Sequence, residues 1–434
     1  MGWYIYPGGK IMNFRNLYML VIVVMIVIFT IILNLFAAEN VTIKREEAYL
    51  REGPGSYYPP IATLPEGLSI AVLEDGESWL KVKADTLMGY ISQKVIEGKK
   101  DADDMFAKMG SERTITEISE IGMTAGIKAM SGRFSSKIGQ KKNFVDVFLS
   151  YHIDPYEFVK FRETTYRLVN LKRIQKKIKL PKYEVPQFFT FSEEAMGIAI
   201  ANRIAELGLY SNKVLQDYVN YVGLLVADAS DSYDIPYKFF ILDFDIPNAY
   251  SCPGGIIFVT TGMLKAIINE AELACVLGHE IAHVSHYHGM EELEKRRVQI
   301  IAEDSFAELD ALSDSLYGHD SKYDDAEAEL EDIALSVYEI IYAGRLEKYE
   351  EEADKLALIY AARAGYDPQA FEDLLSRLIM IGQSSNNEHY TLEQIGWRKD
   401  LIEQRLMSTD YPDRLRGWAE RYQLYTNGLK SSKY

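Results

Sequence analysis

The spacing of apolar residues divides this chain of 434 residues into stretches of different character. Residues 17–36 form an uncharged apolar run, whereas residues 41–97 hold short apolar segments separated by glycine and proline turns. Residues 111–180 follow a helical period, and the remainder is helical apart from two runs typical of strands, 237–244 and 256–261. The pattern predicts a multidomain protein. An apolar segment over 1–38 is followed by a small all-β barrel over 39–98. A linker and helices over 99–186 then lead to a mainly α (α+β) domain with a small sheet over 187–434.

The N-terminal apolar run is long enough to cross a bilayer, and Lys10 and Arg15 before it favour an N-terminus that stays inside. The same run also fits the core of a signal peptide cleaved near Ala37 or Ala38. Both alternatives predict an extracytoplasmic protein of the cell envelope, either secreted or held by a single anchor. Contact with the membrane is expected only if the segment is retained.

Composition narrows the choice of partners. A formal net charge of −17, with no dense run of lysine and arginine, argues against nucleic acid because phosphate binding needs clustered cations. The hydrophobic fraction of 48% is sufficient for real cores. Cys252 and Cys275 form no metal-ligand pattern and are expected to be small core residues.

The strongest chemical signal is the HExxH pattern at residues 279–283. On a helix, positions i and i+4 share a face, so His279 and His283 can direct both imidazoles at one zinc ion. Glu280 can then reach a water on that metal and act as a general base. Asn269 and Glu272 are typical of a helix start, and the apolar residues around the helix predict that it is buried.

A third ligand is predicted in the acidic segment that follows Arg345. Two like charges at i and i+4 repel each other unless Glu350 binds a cation and Asp354 accepts a proton from a ligand imidazole. Glu352 is the second choice of ligand, and an ordinary solvated acidic face is the alternative. Glu351 is expected to pair with Lys355 in solvent.

A substrate-binding strand is expected beside the metal helix. The Pro-Gly-Gly turn at 253–255 should make the two predicted strands neighbours, and an exposed edge would let an extended peptide add as another strand. The residues predicted to line this edge are Asn248, Ala249, Ile256, Phe258 and Thr260.

Residues 41–97 resemble the bacterial SH3-like domain through 50–55, 64–67, 79–82 and 89–91. The resemblance implies an SH3-like barrel in an envelope setting, with cell-wall peptidoglycan as a candidate partner. A spacer barrel without a ligand is the alternative.

Residues 191–418 resemble the zinc metallopeptidase family that includes the HtpX-like, CAAX-prenyl endopeptidase and BepA-like proteases. The resemblance is carried by 248–249, 253–255, 261–262, 272–273, 276–283, His288 and 350–354. It implies a zincin-type domain with one zinc per chain, held by His279, His283 and Glu350, with Glu280 as general base. The implied activity is endopeptidase cleavage of misfolded or membrane-associated proteins.

The chain departs from this family near its C-terminal end. Where the family has Ser-Thr-His-Pro followed by an arginine, Tyr411 replaces the histidine, and Arg414 and Arg416 follow at shorter spacing. A phenol can still hydrogen-bond a developing oxyanion, so Tyr411 and these arginines are candidate oxyanion or substrate residues. The departure also favours a rival function, a latent or non-catalytic chaperone that binds clients in the groove. A second rival makes the SH3-like domain primary and the protein a cell-wall binding module.

Three further histidines complete the candidate chemistry. His286 and His288 follow the metal motif, and His288 is expected to be structural because it is too far along the helix to join the two ligand histidines easily. His319 lies in an acidic run, 314–325, that is a candidate lid over the site.

Overall fold

The computed structural model describes residues 40–45, 47–96, 144–181, 191–289, 346–384, 392–412 and 415–429, together with residues 4, 5, 11, 12, 19, 22 and 341. Within these residues, no helix is both long and apolar enough to cross a bilayer. Most of the apolar run 17–36 and all of the candidate lid 314–325, including His319, lie outside the described residues.

The first domain is a six-stranded antiparallel sheet that surrounds its own small core. Alternate residues of its central strands point inward, as the buried Leu80, Val82 and Ala84 show. Gly89 permits a close approach between two strands, because a Cβ there would lie 2.6 Å from the backbone oxygen of Arg51. A separate antiparallel pair, β1 (Tyr4–Ile5) and β2 (Ile11–Met12), precedes this sheet in the chain. The six strands of the sheet are β3 (Asn40–Thr42), β4 (Glu47–Arg51), β5 (Pro60–Pro65), β6 (Ser69–Asp75), β7 (Trp79–Ala84) and β8 (Leu87–Ser92). Their order in the sheet is β3-β6-β7-β8-β4-β5.

The second domain is mainly helical, as the sequence predicts. Its core extends back to Phe158 and Phe161, so the helices between the two domains pack onto the second one. Cys252 and Cys275 are both buried free cysteines, in agreement with their expected core positions. The described helices are α1 (Phe144–Ser150), α2 (Pro155–Tyr166), α3 (Leu171–Lys177), α4 (Phe191–Ile204), α5 (Lys213–Asp228), α6 (Thr261–Ala266), α7 (Glu270–Ser285), α8 (Glu347–Arg363), α9 (Gln369–Ser384), α10 (Leu392–Ser408) and α11 (Ala419–Thr426).

The small sheet corrects the predicted substrate edge. It consists of β9 (Lys238–Leu242), β10 (Ala249–Cys252) and β11 (Ile256–Thr260) in the order β10-β11-β9, with β11 parallel to β9 and antiparallel to β10. The expectation that Ile256, Phe258 and Thr260 line an open edge is wrong, because β11 is the central strand and all five of its residues are buried. The Pro-Gly-Gly turn joins β10 to β11, with Gly254 and Gly255 at positive φ. Asn248 and Ala249 lie at the start of the outer strand β10, which packs against α7.

The two domains are in direct contact on one side of the helical domain. Tyr57 of the sheet domain packs edge-on against Phe158 with ring centroids 4.5 Å apart, and its hydroxyl accepts a hydrogen bond from Arg162 at 3.1 Å. Lys94 and Arg45 both pair with Asp234, at 3.0 and 2.8 Å. The sheet domain therefore docks on α2 and on the loop that follows α5.

Candidate metal centre

Helix α7 carries the HExxH residues inside the helical core. Asn269 caps it by accepting a hydrogen bond from the backbone N–H of Glu272 at 3.0 Å, as predicted. Glu272 reaches back to the N–H of Ile268 rather than to that of the cap residue, and it pairs with Arg377 at 2.7 Å. All sixteen residues of α7 are buried, so its two histidines and its glutamates need specific partners.

Helix α8 supplies the partners of the two histidines because it packs closely against α7. A Cβ at Gly278 would lie 3.4 Å from the Cα of Ala357, so the two helices are in van der Waals contact at this point. Glu350 lies in the first turn of α8, where the helix dipole favours a negative charge, and Asp354 follows one turn later. Both carboxylates are thereby held against the imidazoles of α7.

Two imidazole nitrogens and one carboxylate converge at the centre of this packing. His279 Nε2 and His283 Nε2 lie 3.0 Å apart, His279 Nε2 lies 3.4 Å from Oε2 of Glu350, and His283 Nε2 lies 3.4 Å from Oε1 of the same carboxylate. For zinc bonded to nitrogen and oxygen at about 2.0–2.1 Å, the edge of the coordination tetrahedron is about 3.3 Å. The spacing of the three residues therefore fits one zinc ion with a fourth position left for water or substrate. Glu280, next to His279, is 8% exposed.

Asp354 lies behind the first histidine, in the position expected for an orienting carboxylate. Its Oδ1 lies 2.8 Å from His279 Nδ1, on the side of the ring away from the three converging atoms. A carboxylate in this place fixes the imidazole tautomer that leaves Nε2 available to a metal. Glu351, by contrast, pairs with Arg405 at 2.6 Å rather than with the predicted Lys355.

Arg398 of α10 is a functional residue that the sequence reasoning missed. Its guanidinium contacts Asp354 through two nitrogens, at 2.6 and 2.9 Å, and reaches Glu350 at 3.1 Å. A signal was present, because Arg398 shares a helix face with the buried Ile395 and Ile402. A cation on an apolar stripe needs a buried anion as partner.

The electrostatics of the centre follow from these contacts. Burial raises the pKa of Glu350, but Arg398 and the two histidines outweigh it and hold that pKa well below its usual range. Burial would likewise raise the pKa of Asp354, yet Arg398 and His279 lower it. For His279, burial and Arg398 lower the pKa, while the hydrogen bonds to Asp354 and Glu350 raise it to about 9.

Two of the three C-terminal candidate residues, Tyr411 and Arg416, lie in the described part of the chain. Tyr411 is half-buried against the core, and burial raises its pKa to about 12. The backbone N–H of Arg416 donates to the carbonyl of Gly365, just beyond the end of α8. Gly365 follows Asp354 by eleven residues, or roughly 16 Å along a helix. Arg416 therefore lies beside the far end of α8, and its role toward substrate stays a prediction, while Arg414 lies outside the described residues.

A second polar cluster adjoins the metal centre at the end of α7. His288 Nδ1 lies 2.9 Å from His283 Nδ1, so His288 reaches a ligand histidine that it was expected to miss. His286 and His288 both approach the carboxylate of Glu352, at 3.3 and 3.6 Å. Helix α7 ends at Ser285, and Tyr287, between the two histidines, has a φ of 54°, so the helix does not continue regularly through this segment.

Comparison with known proteins agrees with this architecture. Residues 214–416 match peptidase family M48, and residues 46–97 match the bacterial SH3 domain. The resemblance of the helical domain to the metallopeptidase family, and that of the preceding sheet domain to the bacterial SH3-like domain, are therefore confirmed.

Two relatives illustrate the match. The beta-barrel assembly-enhancing protease of Escherichia coli is 26% identical over 171 residues, covering 39% of this chain and 34% of the relative. The mitochondrial metalloendopeptidase OMA1 of Schizosaccharomyces pombe is 30% identical over 161 residues, covering 37% of this chain and 43% of the relative. The chain thus spans less than half the length of either relative.

Proposed function

We propose that this chain is a zinc-dependent endopeptidase of the cell envelope that hydrolyses peptide bonds of misfolded or envelope proteins. The observation that carries the proposal is the triangle of His279, His283 and Glu350, whose ligand atoms are spaced for one tetrahedral zinc ion. The names of the relatives, which refer to β-barrel assembly and to a mitochondrial endopeptidase, support a protein substrate. The apolar run at 17–36 supports the envelope setting.

Zinc, when bound here, acidifies a water molecule and polarises the scissile carbonyl. Glu280 takes a proton from the attacking water at a carboxylate oxygen and delivers it to the amine nitrogen as the C–N bond breaks. Asp354 holds the His279 ring through Nδ1, and Arg398 keeps Asp354 ionised. The ligand set is thereby fixed before substrate arrives, which lowers the reorganisation that the reaction requires.

The test compares the full-length chain with its Glu280→Gln variant, for zinc content and for degradation of an unfolded protein. Both should bind about one zinc per chain, and the variant should lose cleavage by at least ~100-fold because it lacks the general base. Cleavage retained in Glu280→Gln would contradict the assigned base. Zinc binding without cleavage in the parent would favour the chaperone function, and absence of zinc from both would refute the ligand set.

The docked SH3-like domain bears on the cell-wall alternative. Tyr57 and Lys94 of this domain contact the peptidase domain, so one face of the barrel is occupied by its own chain. Peptidoglycan binding through another face stays a prediction, and a pull-down with purified peptidoglycan, with and without residues 39–98, tests it.

A further inference from the structure

The two ligand histidines have different partners behind them. His279 Nδ1 faces the carboxylate of Asp354. An ionised carboxylate has no proton to donate, so it acts only as a hydrogen-bond acceptor. His283 Nδ1 instead lies 2.9 Å from Nδ1 of His288, and an imidazole nitrogen can either donate or accept. The direction of this bond decides what the residues behind His283 can do.

Counting protons fixes that direction. His283 turns Nε2 toward His279 and Glu350, so a metal takes the lone pair of Nε2 and the proton of the neutral ring stays on Nδ1. His283 therefore donates, and His288 Nδ1 accepts. The proton of His288 must then be on Nε2, which lies 3.6 Å from Oε2 of Glu352, a charge contact slightly longer than a hydrogen bond.

The same carboxylate continues the series of contacts. Oε1 of Glu352 lies 3.3 Å from His286 Nδ1, and His286 Nε2 lies 3.0 Å from Oδ2 of Asp231. His286 is thus held between two acceptors, which favours a ring that donates from both nitrogens. His286 and His288 are 2% and 1% exposed, so water competes little for these bonds.

A second metal ion at His286, His288 and Glu352 is the competing interpretation, since their ligand atoms also lie close together. An ion bound to His288 Nε2 would leave the proton of the neutral His288 ring on Nδ1. That N–H would then point at the Nδ1–H of His283. Two N–H groups 2.9 Å apart cannot form one hydrogen bond, so filling both centres would disrupt this contact. The proton count therefore favours a single ion at the first centre.

The series ends where the SH3-like domain docks. Oδ1 of Asp231 accepts a hydrogen bond from the Tyr360 hydroxyl at 2.6 Å, and the backbone carbonyl of Asp231 accepts one from Lys94 Nζ. Lys94 and Arg45 also pair with Asp234, and the three charged side chains are only 11–14% exposed. The position of Asp231 therefore depends on a well-shielded contact with the barrel.

We propose that His288, Glu352, His286 and Asp231 form a support network that orients the metal ligand His283, and that the SH3-like domain holds the far end of this network through Lys94. Its members are positioning residues, because they act through His283 rather than on substrate. The inference rests on the metal centre of the proposed function, and it is independent of whether the protein cleaves peptides.

The test measures zinc affinity of the full-length chain by competition with a chelator, so no protease activity is needed. His288→Ala should weaken zinc binding about 10- to 100-fold, the usual effect of losing a partner behind a metal ligand. His288→Gln should recover most of the affinity, because an amide can accept from His283 and donate to Glu352. His152→Ala, at an exposed histidine, is the matched control and should bind zinc like the parent.

The outcomes separate the alternatives. Unchanged zinc affinity in His288→Ala would overturn the support network. Two zinc ions in the parent, one of them lost in both His286→Ala and His288→Ala, would establish the second metal centre instead. If His288→Ala does not fold, Glu352→Gln replaces it, with a several-fold loss of affinity expected and an unchanged affinity as the refutation. A parent that binds zinc but cleaves no protein would refute the proposed peptidase activity and would leave the support network unaffected.

The interdomain part of the inference has its own pair of variants. Lys94→Met should weaken zinc binding several-fold and change the visible spectrum of the cobalt-loaded protein, which reports on ligand geometry. Lys44→Met, at an exposed lysine of the same barrel, should change neither. If Lys94→Met binds zinc like the parent while His288→Ala does not, the network ends at Asp231 and the role of the barrel is wrong.

Discussion

Arg398 sets the charge balance of the metal centre. Its guanidinium lies between Glu350 and Asp354, and it keeps both carboxylates ionised although burial favours their neutral forms. The same positive charge opposes protonation of His279. A single side chain therefore favours both the anionic carboxylate and the neutral imidazole that a metal requires.

Removing this cation should destabilise the metal-free protein. Arg398→Met leaves two buried carboxylates without their main counter-charge, and breaking a buried pair from one side costs about 3–5 kcal/mol. Arg405→Met is the matched control, since the side chains of Arg405 and Glu351 are 29% and 43% exposed and their pair should contribute less than about 1 kcal/mol. Urea unfolding of both variants after chelation measures the difference. Equal losses of stability would show that Arg398 is not a structural counter-ion.

The protonation of His279 should make zinc binding depend on pH. Because its pKa is raised to about 9, the imidazole carries a proton at neutral pH that the metal must displace. Zinc affinity should therefore rise by about tenfold per pH unit between pH 7 and 9, and level off above that value. In Asp354→Asn the bond that raises the pKa is lost, so the rise should be shallower. Chelator competition at several pH values measures both, and a flat profile in the parent would contradict the expectation.

At the scale of elements, one glycine decides how closely a helix can approach the small sheet. Gly197 of α4 packs directly on the turn between β10 and β11. A Cβ at Gly197 would overlap the backbone oxygen of Pro253, at 1.8 Å. Backbone atoms cannot rotate away as a side chain can, so α4 would have to move.

Two glycine substitutions in helices should therefore have opposite effects. Gly197→Ala should destabilise the protein by about 1–3 kcal/mol, the usual cost of overpacking. Gly396→Ala in α10 meets no atom within 4 Å of the added Cβ among the described residues, and should stabilise by about 0.5–1 kcal/mol through helix propensity. Thermal unfolding of each variant against the parent provides the measurement. A stabilised Gly197→Ala would show that α4 does not sit on the turn as described.

The elements also show what could be predicted from the sequence. The N-cap at Asn269 and the burial of α7 depend on spacing within one helix, and both were predictable. The order of the small sheet depends on distant pairing, so the central place of β11 was missed, although its uninterrupted apolar run is typical of a central strand. Arg398 was missed for the same reason, since it meets Asp354 only when α10 packs on α8.

At the scale of the whole molecule, the barrel and the peptidase domain share a charged contact that is shielded from solvent. Burial raises the pKa of Asp234, but Lys94 and Arg45 outweigh it and lower that pKa to about 2. A pKa below its ordinary value stabilises the docked state above about pH 4, and this stabilisation disappears as the pH falls through about 2. The contact is therefore fully charged under all physiological conditions, and a mutation is a better probe of it than acid.

Asp234→Asn should loosen the docking of the barrel without unfolding either domain. The substitution leaves Lys94 and Arg45 facing an amide, so two shielded cations lose their counter-charge. Hydrogen exchange should then accelerate in the loop 230–237, where the backbone N–H of Ile235 donates to the carbonyl of Ser232. Asp75→Asn, which alters an exposed carboxylate of the barrel bonded to Gln93, should leave that loop as protected as in the parent. Equal protection in both variants would mean that apolar contacts around Tyr57 hold the barrel in place by themselves, and the charged contact would then be dispensable for docking.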